Sequence, residues 1–149
     1  MLKKYTTKSA KQTQKLGEKL AKEILALRLA SLAQGKNNSV VVFGLSGNLG
    51  GGKTTFLQGF AKGLGIKEKI LSPTFVIMKR FGTFYHFDCY RFDKPDDILE
   101  LGWEEIILNP ENIVAVEWPE KIAKALPKNT IFINFKFIDE KTREVNFKL

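Results

Sequence analysis

The sequence predicts an α/β fold, one domain built on a central mixed sheet with helices on both faces. Three observations carry that expectation. The apolar, β-branched run "SVVVFGLSG" stands before a glycine cluster and a helix-forming segment. Short apolar runs then alternate with stretches of helical periodicity. Finally, "TIFINFKFI" and "REVNFKL" close the chain as a pair of strands, giving the sheet antiparallel edges. A length of 149 residues suits a single compact core, so residues 1–149 read as one domain.

Taken in order, Ser9 is an N-cap for a helix over residues 10–33, in which Leu16, Leu20, Ile24 and Leu27 recur on one face. Gly35 closes it. Val40 to Leu45 reads as a buried strand, and Thr54 to Leu64 as a helix with Phe56, Leu57, Phe60 and Leu64 facing inward. "LSPTFVIMKRFGTFYHFDCYRF" folds at Gly82 into a hairpin. Pro95 opens a short helix through "DDILELGWEEII", with Asp96 and Asp97 suited to its positive end. "NIVAVEW" is a further buried strand and "PEKIAKAL" a short helix.

Charge is unevenly placed. Residues 1–36 hold nine Lys or Arg against Glu18 and Glu23, a balance of +7 out of +8 for the whole chain. Lys11, Lys15, Lys19 and Lys22 form a ridge on the first helix, suited to an acidic partner or nucleic acid, or simply to solvent. No apolar run approaches the roughly 18 residues of a membrane span, so no membrane role is expected. The start lacks an apolar signal segment, and a single cysteine, Cys89, suits a reducing cytoplasm.

The chemistry is concentrated in "GLSGNLGGGKTTF". Gly47, Asn48, Leu49, Gly50, Gly51, Gly52, Lys53 and Thr54 match G-x-x-x-x-G-K-[ST] at every position, between a strand and a helix. Such a P-loop cradles phosphates with inward-pointing backbone N–H groups over a helix N-terminus, and glycine permits both the dihedrals and the close approach. Lys53 would bridge the β- and γ-phosphates, and the Thr54 hydroxyl would take one Mg²⁺ position.

Hydrolysis also needs acids. Glu117 ends the strand "IVAVE", where open α/β sheets bind ligands, and suits a metal-side acid. In "HFDCYRF", alternation puts Phe84, His86, Asp88 and Tyr90 on one face and Tyr85, Phe87 and Cys89 on the other. Asp88 is open to three roles: ligand of a metal-bound water, base for an attacking water, or structural acid. Thr74 in "SPTF" is a candidate switch residue sensing γ-phosphate and metal.

Together these pieces closely resemble the TsaE (YjeE) family, small bacterial P-loop ATPases required for threonylcarbamoyladenosine (t6A) modification of tRNA. The family's loop G-D-L-G-A-G-K-T-T stands here as "GNLGGGKTT", its S-P-T as "SPTF", its H-x-D-x-Y-R as "HFDCYR" and its E-W as "VEWPE". The likeness covers roughly residues 9–126 and implies a P-loop NTPase-like domain. It also implies ATP with Mg²⁺ as cofactors. Gly47 to Thr55, Thr55 included, would hold phosphate; Thr54, Glu117 and Asp88 would serve the metal; Asp88, Glu117 and Lys53 would be catalytic. Trp118 would lie near the nucleotide, and the segment leading into the first helix would border the adenine. The resemblance implies action with a TsaB–TsaD heterodimer, TsaD being the transferase, and contact with tRNA only through that complex. Two positions depart from the pattern. Asn48 stands for the family's Asp, keeping its size but not its charge, and Gly51 stands for Ala.

Other readings leave more unexplained. A small nucleotide or metabolite kinase uses the same loop, but it needs an acceptor site and usually an arginine-rich lid. After Thr55 only scattered Arg80, Arg91 and Arg143 occur. A signalling GTPase would carry N-K-x-D and D-x-x-G, and neither string is present. A tRNA-binding module without enzymatic activity accounts for the basic start but gives Lys53, Thr54, Asp88 and Glu117 nothing to do.

Overall fold

The computed structural model describes residues 2–48, 50, 52–71 and 77–149. The elements run β1 (Leu2–Thr7), α1 (Ala10–Ala33), β2 (Val41–Ser46), α2 (Lys53–Gly63), β3 (Met78–Phe81) and β4 (Phe84–Asp88). They continue through a 3-10 segment (Pro95–Leu101), α3 (Trp103–Leu108), β5 (Ile113–Glu117), a second 3-10 segment (Pro119–Ala125), β6 (Ile131–Phe137) and β7 (Arg143–Lys148). The strands form one mixed sheet in the order β1-β7-β6-β2-β5-β4-β3. Strands β6, β2, β5 and β4 are mutually parallel, and the remaining pairs are antiparallel. The expected mixed sheet with helices on both faces is therefore what the chain adopts.

Burial explains the composition of the central strands. All five residues of β5 are buried, because each face of the sheet is covered. On one face, Phe43, Leu45, Ala115 and Phe135 pack under Leu20 and Ile24 of α1 and Phe56, Phe60 and Ala61 of α2. On the other, Val42, Val114, Val116 and Phe87 meet Ile98, Trp103, Ile106 and Ile122 of the short helices. The two long helices approach at backbone distance. A Cβ on Gly59 would sit 1.8 Å from the Gln14 carbonyl oxygen, and one on Gly17 would sit 2.1 Å from that of Phe56.

Helix α1 starts where expected, with the Ser9 hydroxyl accepting the Gln12 N–H at 3.1 Å. One feature lies outside the sequence reading and two differ from it. The lysine-rich start is a strand: β1 pairs with β7, Tyr5 stacks on Phe147 at 5.4 Å, and its lysines suit an open sheet edge. Leu27 is not in the core but 60 % exposed, because the buried face of α1 stops at Ile24. The single helix expected from Pro95 is broken at Gly102, whose φ of 77° is left-handed, into a 3-10 segment and α3. The first part of the expected hairpin, with Thr74, lies outside the described residues, as do Leu49 and Gly51. Among the described residues no helix is long and apolar enough to cross a membrane.

Candidate functional site

The parallel strands end on one side of the sheet, and there the chain opens a cleft of about 650 Å³. The turn from β2 into α2 forms its floor. Gly50 and Gly52 have φ of 79° and 97°, left-handed values that a side chain would strain. They bring the loop round so that Lys53, Thr54 and Thr55 face the cleft at the start of α2. That helix end offers unpaired N–H groups and a positive dipole end to an anion.

Lys53 is 5 % exposed. Its Nζ donates to the Gly47 carbonyl and lies 4.2 Å from the centroid of the Trp118 ring. Burial holds its ammonium below the usual lysine range, while Glu117, Asp88 and Glu120 pull it back up. Trp118 is the one described non-glycine residue with positive φ, at 59°. The proline that follows it disfavours the right-handed helical region. Its N–H bonds the Leu45 carbonyl at 3.3 Å, and its ring meets that of Tyr90 at 5.0 Å. These contacts hold a conformation that costs about 1–2 kcal/mol, and they keep the indole beside the lysine.

The two acids arrive on adjacent strands. Asp88 at the end of β4 is the register partner of Glu117 at the end of β5, and both line the cleft. Burial raises the Asp88 carboxyl above the usual aspartate range. The Tyr90 N–H bonded to its Oδ1 at 3.0 Å counters this, and the neighbouring Glu117 charge adds to it. Glu117 is 4 % exposed, with Oε2 2.8 Å from His86 Nε2. The expected alternation holds as far as the strand goes, since Phe84 joins one core and Tyr85, Phe87 and Cys89 the other, but β4 ends at Asp88 and Tyr90 lies in an exposed turn rather than on the His86–Asp88 face. Cys89 is buried away from the cleft, its thiol pushed up to about 12 by that burial.

The structure thus brings together Gly50, Gly52, Lys53, Thr54, Thr55, Asp88, Glu117 and Trp118. Gly47 contributes its carbonyl to Lys53, and Asn48 is exposed. Sequence reasoning missed one wall. Lys8, Ser9, Ala10 and Thr13 line the cleft from the start of α1, where only the resemblance pointed. Glu140, Lys141 and Arg143 line it from the β6–β7 turn. Arg143 is the most specific of these: its Nε donates to the Gly50 carbonyl at 3.1 Å and its guanidinium lies over Phe137 at 4.6 Å. No local pattern marks it, because its place depends on β7 pairing with both β6 and β1.

The donor set suits a polyphosphate with a hard cation. Lys53, Lys8, Lys141 and Arg143 supply positive charge, the loop and helix end supply N–H groups, and Thr54, Glu117 and Asp88 supply hard oxygen ligands.

Comparison with known proteins bears on this arrangement. The family model "TsaE: Threonylcarbamoyl adenosine biosynthesis protein TsaE" matches residues 7–145, so the likeness extends well beyond residue 126 into the last strands. The tRNA threonylcarbamoyladenosine biosynthesis protein TsaE of Treponema pallidum is 37% identical over 113 residues, 74% of this chain and 82% of that protein. The protein of the same name from Rickettsia typhi is 32% identical over 149 residues, covering 97% and 93%. The crystal structure of Bacillus subtilis YdiB superposes with a TM-score of 0.74 at 28% identity, over 99% of this chain and 84% of that one. With the glycine loop, the buried lysine and the two strand-end acids inside the matched span, the chain belongs to the TsaE family of threonylcarbamoyl adenosine biosynthesis proteins.

Proposed function

We propose that the cleft binds ATP with Mg²⁺ and hydrolyses it, and that this hydrolysis serves t6A formation on tRNA in concert with a TsaB–TsaD heterodimer. The observation that carries the reading is the convergence of Lys53, Thr54, Asp88 and Glu117 on one cleft at the carboxyl ends of the strands. The relatives' part in t6A biosynthesis supplies the biological setting.

The chain's own groups divide the work. The loop N–H groups and the start of α2 receive the phosphates, and the Lys53 ammonium, held until then by one carbonyl and one ring, moves onto the β,γ oxygens. Thr54 and Glu117 would hold the metal, which when bound would neutralise charge on the phosphate oxygens. Asp88 sits where a base or water-positioning group belongs. Its raised pKa makes it a better proton acceptor than an ordinary aspartate. Arg143 fixes the loop through Gly50, and Trp118 walls the lysine from water. The exposed lysine ridge of α1 is left to face the assembly. Arg143 is the one arginine among the described lining residues, so the arginine-rich lid of a small kinase gains no support.

The test is the rate of Mg²⁺-dependent ATP hydrolysis by the protein alone and with the heterodimer. A weak basal rate that rises with the heterodimer and disappears in Glu117→Ala is expected. A rate indifferent to the heterodimer would overturn the assembly reading and return the kinase alternative.

A further inference from the structure

We propose that His86 is a positioning residue that holds Glu117 in the rotamer that presents its second oxygen to the cleft. The inference rests on reading Glu117 as the metal-side acid. His86 is 4 % exposed and stands two residues before Asp88 on β4. Its strand-register partner on β5 is Ala115, whose methyl leaves the imidazole free to reach along the strand to Glu117. Nε2 meets Oε2 at 2.8 Å. An ionised carboxylate only accepts, so Nε2–H is the donor. With Oε2 committed to that bond, Oε1 is the oxygen available to a ligand.

A merely structural role explains the pair poorly. The same sheet face is apolar one step below, with Phe84 and Ile113 in the core. A buried ionisable pair there is generally no more stabilising than apolar residues of similar volume. It occurs instead where Glu117 ends β5 and lines the cleft, with His86 two residues back from the end of β4. Hydrogen bonds that orient a metal-ligating side chain are worth about 10- to 100-fold in metal affinity when removed.

The experiment compares the full-length wild type with His86→Leu, His86→Asn, His86→Gln and Glu117→Gln. A non-hydrolysable ATP analogue is titrated calorimetrically in EDTA and in Mg²⁺, and Mn²⁺ affinity of the nucleotide complex is read by EPR. Gln places an N–H near the position of Nε2, whereas Asn falls short of it. In His86→Leu and His86→Asn, metal-free nucleotide affinity is expected to stay within about twofold, while metal affinity falls roughly 10-fold or more. His86→Gln is expected to keep most of it. Full metal affinity in His86→Leu, or equal losses in His86→Gln and His86→Asn, would overturn the inference. If His86→Leu fails to fold, the Gln–Asn contrast decides. Loss in Glu117→Gln without loss in His86→Leu would remove the positioning role alone. Unchanged metal affinity in Glu117→Gln would remove the underlying reading as well.

Discussion

Two cations sit at opposite ends of the sheet, Arg28 half-buried and Lys53 buried, and they are treated differently. At the amino ends of the strands, the Arg28 guanidinium is surrounded by the carbonyls of Ser39, Pro110, Glu111 and Asn112, at 2.8 to 3.2 Å. It ties the far part of α1 to the segments that enter β2 and β5. At the carboxyl ends, Lys53 has one carbonyl and one aromatic ring. Burial pushes both groups below their ordinary pKa. The fork geometry of arginine lets fixed acceptors take up its charge, while the three-donor ammonium with one hydrogen-bonded carbonyl keeps capacity for an incoming anion. A cation whose two terminal nitrogens are taken up by four backbone carbonyls serves the fold, even with its Nε left without a hydrogen bond; one with a single carbonyl serves a ligand.

Substitutions can separate these roles. The largest effect is expected for Lys53→Met, which should abolish ATP binding in calorimetry while the melting temperature holds or rises, since a buried charge is removed and the volume kept. Arg28→Met should do the reverse. Leaving four carbonyls without their donor should lower stability by roughly 2 kcal/mol, read by urea unfolding, with ATP affinity unaltered. Equal effects of the two variants on both readouts would erase the distinction.

A smaller effect is expected for Asp88→Asn. Because burial raises the Asp88 pKa in the folded state, its ionisation opposes folding, and the associated stability is lost as pH rises through that value. The Asn variant should therefore melt higher than wild type at pH 7. The gap should close as pH falls towards the ordinary aspartate range, although hydrolysis is lost throughout. A gap that widens on acidification would contradict the burial argument. Smallest for the fold is the replacement of Lys11, Lys15 and Lys19 by Gln, expected to change stability by less than about 0.5 kcal/mol. If it also leaves complex formation and t6A synthesis untouched, the ridge has no part in the assembly.

Much of this was legible in the chain. The loop's place between an apolar strand and a helix reads directly, and among its described glycines Gly50 and Gly52 carry the left-handed φ that favours this residue. Glu117 was readable as a strand-end acid, whereas Asp88 was readable only as an acid on the His86 face of a strand that the pattern carried on to Tyr90 and the fold ends at Asp88. Their adjacency was not, since it depends on β4 pairing with β5. Arg143 carries no local mark, and neither does the His86–Glu117 contact, which is diagonal across two strands. β1 was hidden because "LKKYTT" has the polarity of a loop and becomes a strand only through β7. Leu27 misled for the opposite reason: its periodicity is helical, but the buried face of α1 stops at Ile24.

The most direct measurement is calorimetric titration of the wild-type protein with ATP in Mg²⁺ and again in EDTA. One site per chain, with tighter binding in Mg²⁺, is the predicted result. Absence of ATP binding, or an affinity indifferent to Mg²⁺, would contradict a site in which Lys53 waits for phosphate and Glu117 for metal.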